Sequence, residues 1–572
     1  MTLQIVPPTT RAARLDAMDG AAPKVLVIGG GINGASVYRE LALNGVPVML
    51  AEKSDFCAGA SSALSRMVHG GLRYLENGEF DLVREALDER NRLLNNAPHL
   101  VSPLRTIVPI DSWVSGALNA PLKFVGLSKA PSRRGALPVK LGLSFYDLYT
   151  RGKGGLPRHA FWSSEKARAR FPFRPDVRCA ATYYDGQVSH PERVVTEIFE
   201  DVARSGADAV ALNHLEVTRV GAEVALTDRI GGREIALRPE IVVNATGAWI
   251  DRTNARAGTT GEMVQGTKGA HLVLDHPELR DMLGDDMVYY ENVDGRICIM
   301  FGLHGKVLIG STDIKVPDPD KVRCEADERA YILEGMSWVL PGVTVRPEQV
   351  LHVFAGVRPL PVSGAGTTGQ IPRGHFNRWT EGAVPVLSMI GGKWTTFRAF
   401  GELAADDVMT RLGMARTSGT QELAIGGGAG FPQDRAAWCA EVAAVSGLAQ
   451  ARIETLLERY GTLARALAQA FAGERMLPGL PGYSEAEIDY LIAHEQVETL
   501  ADLALRRTVV ALAGGLDAAA LETLADRLAA AKGWSPTRRE EELHGFRVKL
   551  ATDHGADPER IGLHRKGEVA AQ

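Results

Sequence analysis

The sequence has little cysteine and no long hydrophobic run, and each shortage excludes a class of protein. Five cysteines are scattered over 572 residues without a Cys-x-x-Cys pair. This odd, widely spaced set fits a reducing compartment and neither a disulfide framework nor a zinc site. The fourteen histidines show no His-x-x-x-His spacing, so no metal is expected. No stretch reaches the roughly 18 consecutive apolar residues of a membrane-spanning helix.

Charge of neither sign dominates, which argues against a nucleic-acid-binding protein. Lys and Arg number 64 against 69 Asp and Glu, for a net charge of −5, whereas nucleic-acid-binding domains are usually basic. A chain of this length is expected to form two or three domains. Residues 1–22 lack the apolar core of a secretion signal and are interpreted as a flexible leader, which favours the cytoplasm.

A dinucleotide-binding motif follows the first apolar run. Residues 24–28 predict a strand buried on both faces, and this strand turns directly into Gly29-x-Gly31-x-x-Gly34. A helix is predicted over residues 35–43. The glycines allow a tight turn and the close approach of a pyrophosphate to the helix N-terminus. With a strand before it and a helix after it, the motif predicts dinucleotide binding.

An acidic residue stands where such a site needs one. Glu52 ends a second predicted strand (46–51), 23 positions after Gly29. A carboxylate there can accept a hydrogen bond from a ribose hydroxyl and would repel a 2′-phosphate, so NADP is disfavoured. The motif and the acid leave FAD and NAD open.

The rest of the chain changes character twice. Apolar runs at 241–245 and 386–390 predict further parallel strands that end in glycines. Between them, residues 288–314 predict short antiparallel strands broken by the turn signals Asp294-Gly295 and His304-Gly305. From about residue 402 the pattern becomes helical.

Several short segments outside the glycine motif are more specific. They are Gly59–Ser62, His69–Glu76 (sequence HGGLRYLE), Asn244–Gly247, Lys268–His271, Ile309–Asp313, Gly356–Leu360 and Gly391–Thr396. Together, and in this order, they closely resemble the FAD-dependent glycerol-3-phosphate dehydrogenases over most of residues 23–512.

The resemblance implies an α/β protein with a glutathione-reductase-like FAD-binding fold, an antiparallel-sheet substrate domain and a C-terminal helical domain. The cofactor is then FAD. After the leader, an FAD-binding domain is expected over residues 23–400, interleaved with the substrate sheet at roughly 80–180 and 250–365. A helical domain is expected over residues 401–534 and a poorly ordered polar tail over residues 535–572.

The residues expected to contact FAD come from the glycine motif and from the resembling segments. They are Gly29, Gly31, Gly34, Glu52, Ser61, Ser62, His69, Gly247, Gly392 and Thr395. One position departs from the family, which usually has Thr where this chain has Ala60. One flavin-facing hydroxyl is therefore expected to be missing.

A small dianionic polyol phosphate needs several fixed cations. Arg73, Arg358 and Lys393 stand among glycines or at predicted strand ends, unlike surface charges on a helix. Arginine offers a two-pronged donor for phosphate, and lysine adds a point charge. The resemblance assigns all three to the substrate, together with Tyr74 and Thr312.

The reaction implied by the resemblance needs a proton acceptor. As the C2 hydride moves to flavin N5, the C2 hydroxyl must lose its proton to a group within hydrogen-bond reach. By resemblance, His271 and Arg358 lie nearest. Histidine is the natural acceptor near neutral pH, while an arginine could instead stabilise the forming alkoxide and leave the proton to water. A purely structural role for His271 in the sheet stays open.

Residues 113–146 differ most from the family. The segment holds five basic and no acidic residues among apolar ones, a composition that suits contact with anionic lipid. Peripheral attachment to the inner face of the cytoplasmic membrane is expected, with quinone as the electron acceptor. A basic loop or an oligomer contact, such as a homodimer interface, is the alternative.

The sequence therefore predicts an FAD-dependent dehydrogenase that oxidises sn-glycerol 3-phosphate to dihydroxyacetone phosphate. Another polyol phosphate such as erythritol 4-phosphate, or oxygen as the acceptor, would need no change in these motifs. A flavin-bearing binding protein without turnover has no reason to keep the three cations. An RNA-modifying flavoprotein is disfavoured by the negative net charge.

Overall fold

The computed structural model of the chain describes residues 3–71, 80–113, 135–150, 156–362 and 374–563. The strands of these residues are, in chain order, β1 (Val25–Ile28), β2 (Val48–Ala51), β3 (Met67–Val68), β4 (Val101–Ile110), β5 (Ala160–Ser163), β6 (Cys179–Val188), β7 (Ala209–Leu212), β8 (Leu215–Arg219), β9 (Val224–Asp228), β10 (Glu234–Leu237), β11 (Ile241–Asn244), β12 (Val264–Leu274), β13 (Asp286–Glu291), β14 (Ile297–Leu303), β15 (Lys306–Gly310), β16 (Ile314–Val316), β17 (Val350–Pro361), β18 (His375–Thr380) and β19 (Val386–Gly391).

The helices of the same residues are α1 (Arg11–Met18), α2 (Ile32–Leu43), α3 (Phe80–Asn96), α4 (Ala136–Thr150), α5 (Ser164–Arg170), α6 (Pro191–Ser205), α7 (Ile250–Arg256), α8 (Pro277–Leu283), α9 (Ala326–Val339), α10 (Phe397–Arg411), α11 (Arg435–Ser446), α12 (Gln450–Tyr460), α13 (Ala464–Ala470), α14 (Glu485–His494), α15 (Leu500–Asp502), α16 (Ala518–Lys532) and α17 (Pro536–His554). Within this described part of the chain, no helix combines the length and the apolar character needed to cross a membrane.

A six-stranded sheet carries the glycine motif. Its order is β18-β19-β11-β1-β2-β7, and every pairing is parallel except that of the edge strand β18. All residues of β1 and β11 are buried, because α2, α6 and α10 cover one face of the sheet and α1 with the small sheet β8–β10 covers the other. The parallel strands predicted at residues 24–28, 241–245 and 386–390 are confirmed.

A ten-stranded mixed sheet forms the second layer. Its main path is β16-β12-β15-β14-β13-β4-β6-β3, with β17 paired to β12 and β5 to β6. Only β13 and β4 run parallel; the other pairs are antiparallel. The turn signals Asp294-Gly295 and His304-Gly305 lie between β13 and β14 and between β14 and β15, as predicted. The α/β fold with an antiparallel substrate sheet is thus confirmed.

The expectation of a flexible leader is wrong for residues 11–18. Helix α1 is capped by the hydroxyl of Thr10, which accepts from the amide of Ala13, and its residues Leu15 and Met18 are buried. The Arg11 guanidinium binds the carboxylate of Asp228 at the end of β9. The sequence conceals this helix because only two of its residues face the core.

The predicted end of the FAD-binding domain at residue 400 is also wrong. It falls inside α10, which packs on α2 so closely that a Cβ at Gly401 would overlap the side chain of Ser36. Helix α10 therefore belongs to the core of the parallel sheet. A continuous helical pattern hides the boundary, since the pattern does not say which core a helix joins.

Half of the polar tail expected after residue 534, Pro536–His554, is a helix. The Ser535 hydroxyl caps α17, and Leu543, Phe546 and Leu550 are buried in the core of the C-terminal helical domain. Their spacing of three and four residues places them on one helix face. This narrow stripe among charged residues gave the segment its polar appearance. Residues 564–572 lie outside the described part.

A buried ion cluster joins the helical domain to the glycine-motif domain. Arg507, the last residue of the π-helical turn Leu503–Arg507 that follows α15, donates to both carboxylate oxygens of Asp55 at 2.8 Å, and Arg506 donates to the same carboxylate. The amide of Asn213 adds a third donor at 2.8 Å. Burial alone would raise the pKa of Asp55, but the charges of Arg507 and Arg506 bring it below its ordinary value. The docking of the two domains therefore depends on a compensated buried charge.

Arg507→Ala is expected to lower the free energy of unfolding by about 3–5 kcal/mol, because it leaves the buried Asp55 carboxylate short of a partner. The matched control is Arg475→Ala in the same domain, whose side chain is 79% exposed beside Glu485 and should cost less than about 1 kcal/mol. Chemical denaturation followed by tryptophan fluorescence measures both. Equal stability of the two variants would contradict this account of the docking.

Candidate active site

Three chain segments pack against one another at the turn from β1 to α2. Their backbones lie so close together that the glycine positions there leave no room for side chains. Gly29 has φ +110°, and a Cβ there would lie 2.7 Å from the carbonyl oxygen of Ala245. A Cβ at Gly34 would overlap the carbonyl oxygen of Gly29. The predicted glycine positions thus hold strand β1, helix α2 and the end of β11 together, and they leave the start of α2 open.

The start of α2 offers donors for an anion. Gly31 is the residue before the first helical turn and has no side chain to cap it. The amide of Ile32 donates instead to the hydroxyl of Ser61 at 3.0 Å. The neighbouring Ser62 hydroxyl bonds the carbonyl of Gly59 at 3.3 Å. Ser61 therefore faces the helix N-terminus where a pyrophosphate would bind, whereas Ser62 stabilises its own loop.

Glu52 is fixed at the end of β2. Its carboxylate accepts from the amides of Gly30 at 2.7 Å and Ser54 at 2.8 Å. Burial raises the pKa of Glu52, and these two bonds oppose the rise. A carboxylate oxygen has more than one acceptor site, so the group can still accept from a ribose hydroxyl.

A cavity of about 500 Å³ connects these parts. It lies beyond the carboxyl ends of β1, β2, β11 and β19, where parallel sheets bind their ligands. Its lining includes Gly29, Gly31, Asn33, Glu52, Lys53, Ser61, Gly247, Trp249, Pro359, Gly392, Lys393 and Trp394. A Cβ at Gly392 (φ +99°) would lie 3.0 Å from Nδ2 of Asn33. The cavity thus runs from the acid to the β19 turn, as a bound dinucleotide requires.

The two remaining predicted cofactor residues support the turn after β19. The Thr395 hydroxyl accepts from the amide of His69 at 3.3 Å, and Thr395 itself is buried. This bond ties the HGGLRYLE segment to the short 3-10 turn Trp394–Thr396 ahead of α10. Neither Thr395 nor His69 is among the residues lining the cavity.

Two glycines of the substrate sheet allow close packing against its face. In the pairing of β12 with β17, Gly269 stands opposite Gly356 and His271 opposite Phe354. A Cβ at Gly356 would lie 2.5 Å from that of Ala63, and one at Gly269 would overlap the guanidinium of Arg358. These glycines let the loop before β3 and the Arg358 side chain lie flat against the sheet. Arg358 and His271 therefore share one face of it.

Arg358 is placed to bind an anion. Its guanidinium pairs with Asp313 at 3.2 Å, lies 3.4 Å from the Ser311 hydroxyl and 3.5 Å from the Thr312 carbonyl, and keeps 28% of its side chain exposed. The expectation that the Thr312 hydroxyl binds substrate is wrong. That hydroxyl is buried, accepts from the amide of Ala270 at 2.9 Å and donates to Glu328 at 2.7 Å.

His271 is buried beside Ser65 and Phe354. Its Nε2 lies 2.8 Å from the Ser65 hydroxyl, and its ring stacks on Phe354 with centroids 5.1 Å apart. Burial, then the charges of Arg358 and Arg66, lower the pKa of His271 to about 3. Sequence reasoning missed Ser65, which lies between the segments Gly59–Ser62 and His69–Glu76, because nothing in its spacing marks it as a partner of His271.

Lys393 lines the cavity at the β19 turn. Its charge reaches Glu85 on α3 and His375 on β18: burial first, and then Lys393, lower the pKa of His375 to about 4. Arg73 and Tyr74, also predicted to bind substrate, lie outside the described residues. The expected absence of a metal stays a prediction; in the described residues Asp55, His214 and Asp502 place ligand atoms within 4.8 Å of one another, beside Arg506 and Arg507.

Fold and site define a dinucleotide-dependent oxidoreductase, and comparison with known proteins makes this specific. Residues 24–406 match the family model of FAD dependent oxidoreductases. Residues 418–539 match the C-terminal domain of alpha-glycerophosphate oxidase.

Full-length relatives agree with the family models. The chain is 31% identical to a glycerol-3-phosphate dehydrogenase of Synechocystis, over 91% of this chain and 95% of that one. It is 32% identical to a D-erythritol 1-phosphate dehydrogenase of Brucella abortus, over 85% and 93%. The structure of the FAD complex of a Bacillus halodurans glycerol-3-phosphate dehydrogenase shares the fold, with a TM-score of 0.72 at 22% identity over 95% and 97% of the two chains. The chain belongs to the FAD-dependent glycerol-3-phosphate dehydrogenase family, and its cofactor is FAD.

Gly34→Ala is expected to yield protein with much less than one FAD per chain, because the added methyl group would push the β1–α2 turn away from the pyrophosphate. The matched control is Gly545→Ala, also within a helix but with nothing within 4 Å of the added atom. That variant should keep its FAD and gain about 0.5–1 kcal/mol of stability. The ratio of flavin to protein absorbance measures the FAD content of both variants. Full FAD content in Gly34→Ala would contradict the role of the β1–α2 turn in binding the pyrophosphate.

Proposed function

We propose that this protein oxidises sn-glycerol 3-phosphate to dihydroxyacetone phosphate and passes the electrons to a membrane quinone. Bound FAD supplies the hydride acceptor for the C2–H bond of the substrate. The observation that carries the proposal is Arg358, a half-buried guanidinium held on the substrate-sheet face by Asp313 and next to His271.

The charge around Arg358 suits a small dianion. Asp313 pairs with the guanidinium and neutralises part of its charge, which holds it on this face of the sheet. Lys393 contributes a second positive charge at the cavity, and charge-assisted hydrogen bonds to phosphate are strong and directional. The resemblance assigns Arg73 and Tyr74, which lie outside the described residues, to the same phosphate. A neutral polyol would gain little from this arrangement.

The proton of the C2 hydroxyl needs an acceptor that stays neutral. The lowered pKa of His271 keeps its imidazole uncharged at neutral pH. Arg358 can stabilise developing negative charge on the substrate oxygen as the proton leaves. The two residues thus take complementary parts, and His271 acts as the acceptor.

Helix α4 supports a membrane quinone as the electron acceptor. Its residues Val139, Leu143 and Tyr146 are buried, while Leu137, Leu141 and Leu148 are 57–62% exposed and their spacing places them on one face. The segment before it, residues 114–134, lies outside the described residues and carries Lys123, Lys129, Arg133 and Arg134. An apolar face beside basic residues favours contact with anionic lipid, and this contact would bring a quinone to the flavin at the cytoplasmic face of the membrane.

Leu141→Glu combined with Leu148→Glu is expected to abolish flotation of the protein with vesicles that contain phosphatidylglycerol, because charges would replace the apolar face of α4. Val445→Glu is the control, since Val445 is equally exposed on α11 of the helical domain. Wild-type protein that stays at the bottom of the gradient, or a double variant that floats normally, would contradict membrane contact through this segment.

A second substrate has specific support. The Brucella abortus erythritol-phosphate dehydrogenase is as similar to this chain as the Synechocystis enzyme, so overall identity does not choose between the two polyols. The longer substrate adds one hydroxymethyl unit, and the phosphate and the reacting carbon would use the same residues. Oxygen as the acceptor is the remaining alternative, and an oxidase would have no need of lipid contact.

Anaerobic addition of glycerol 3-phosphate is expected to bleach the yellow flavin absorption quickly, and a soluble quinone should restore it faster than air. D-erythritol 1-phosphate, the compound in the name of the Brucella abortus relative, should bleach it more slowly when added separately. Bleaching by the longer phosphate alone would change the substrate and keep the mechanism. A flavin that neither compound reduces would contradict the proposed function.

The same experiment on Arg358→Ala tests the site. This variant should retain FAD and lose about 10²–10³-fold in kcat/KM, because a charge-stabilising donor is removed; Lys393→Ala should also lose most of its kcat/KM. The control is Arg346→Ala, a 65% exposed arginine just before β17 that pairs with Glu348. Normal turnover by Arg358→Ala would show that the phosphate binds elsewhere.

A further inference from the structure

The imidazole of His271 is held rigidly inside the substrate sheet. The residue lies in β12 between Gly310 of β15 and Phe354 of β17. The Phe354 ring lies nearly parallel to it, with an angle of 16° between the planes. On the other side, a Cβ at Gly310 would lie 2.9 Å from Cγ of the imidazole. The ring therefore fills the space between its two neighbours and has one fixed orientation.

Only one of the two imidazole nitrogens of His271 faces a group that is not itself buried. Nδ1 is enclosed by the protein and has no hydrogen-bond partner among the residues the structure describes. Nε2 faces the hydroxyl of Ser65 at 2.8 Å. Ser65 is half-buried, unlike His271, and its loop continues directly from residues 58–61, which line the FAD cavity. The route from the imidazole to the reaction site therefore passes through the Ser65 hydroxyl.

We propose that Ser65 relays the proton of the substrate C2 hydroxyl to Nε2 of His271. As the hydride leaves C2, the C2–O–H proton passes to Oγ of Ser65, and the proton that Ser65 carried passes to Nε2. The substrate becomes a ketone, the serine is unchanged, and the histidine becomes an imidazolium. The inference rests on the proposed function, since it requires a substrate with an oxidisable hydroxyl.

The electrostatics suit a relay that must reset after each turnover. The positive charges of Arg358 and Arg66 both lower the pKa of His271. Arg358 lies on the substrate face, whereas Arg66 lies outside it and pairs with Glu192 at 2.9 Å. A hydroxyl on a carbon that is losing a hydride is strongly acidic, so a weak base suffices at that moment. Once the ketone has formed, the same two charges drive the proton off the imidazolium and back through Ser65 to solvent.

A matched pair of variants separates relay from packing. Ser65→Ala removes the hydroxyl, and Ser65→Thr keeps it with one extra methyl group. With holoenzyme and glycerol 3-phosphate, the rate constant of anaerobic flavin reduction should fall about 10²-fold or more in Ser65→Ala and recover in Ser65→Thr. The substrate concentration at half-saturation should change little in either variant. In mixtures of light and heavy water, a plot of the wild-type rate against the heavy-water content should be curved, because two protons move in the same step.

A second readout does not depend on turnover. In protein labelled with nitrogen-15 histidine, the ring signal of His271 is the one missing from His271→Asn. Ser65→Ala should shift its Nε2 resonance and Ser65→Thr should restore it, because the hydrogen bond at Nε2 is lost and regained. A His271 signal that does not respond to either change would overturn the pairing on which the relay depends.

The outcomes distinguish the relay from the proposed function. Failure of the function would show in the wild-type protein, as a flavin that neither polyol phosphate reduces. Failure of the relay would show only in the variants: Ser65→Ala would reduce its flavin at the wild-type rate, or both variants would lose activity equally. A linear dependence of the wild-type rate on heavy-water content would also overturn it, because it indicates a single proton in flight.

Discussion

The structure depends on a contact in which backbone meets backbone, at the turn between β1 and α2. Gly29 lies against the carbonyl of Ala245, and Gly34 lies against the carbonyl of Gly29. A single methyl group at either glycine would separate β1, α2 and β11, and the cavity beyond their ends would lose its shape. The fixed carboxylate of Glu52 and the N-terminus of α2 become a cofactor site only because these glycines hold the three segments together.

A second pair of glycines sets the distance between cofactor and substrate layers. Gly356 receives Ala63, and Gly269 receives the guanidinium of Arg358. The loop that lines the FAD cavity can therefore lie directly on the sheet face that carries Arg358 and His271. The Cα of Ala60, which lines the cavity, lies 3.5 Å from the position of a Cβ on Gly356.

The sequence predicted the parts whose chemistry is local. The glycine motif, the parallel strands and the placement of Arg358 and His271 on the sheet follow from spacing and from resemblance. What it did not predict depends on tertiary partners. Nothing in the sequence says that the Thr312 hydroxyl is used by Glu328, or that Ser65 meets His271 from 206 positions away. Helices α1 and α17 were missed because their buried stripes are narrow and their other faces are charged.

The central claim is that the FAD cavity and Arg358 form one active site for a phosphorylated polyol. A crystal structure of the oxidised holoenzyme with dihydroxyacetone phosphate tests it most directly, because the product cannot reduce the flavin. The account predicts FAD between Glu52 and Gly392 and the phosphate within hydrogen-bond distance of the Arg358 guanidinium. FAD in that cavity with the phosphate bound away from Arg358 would contradict it.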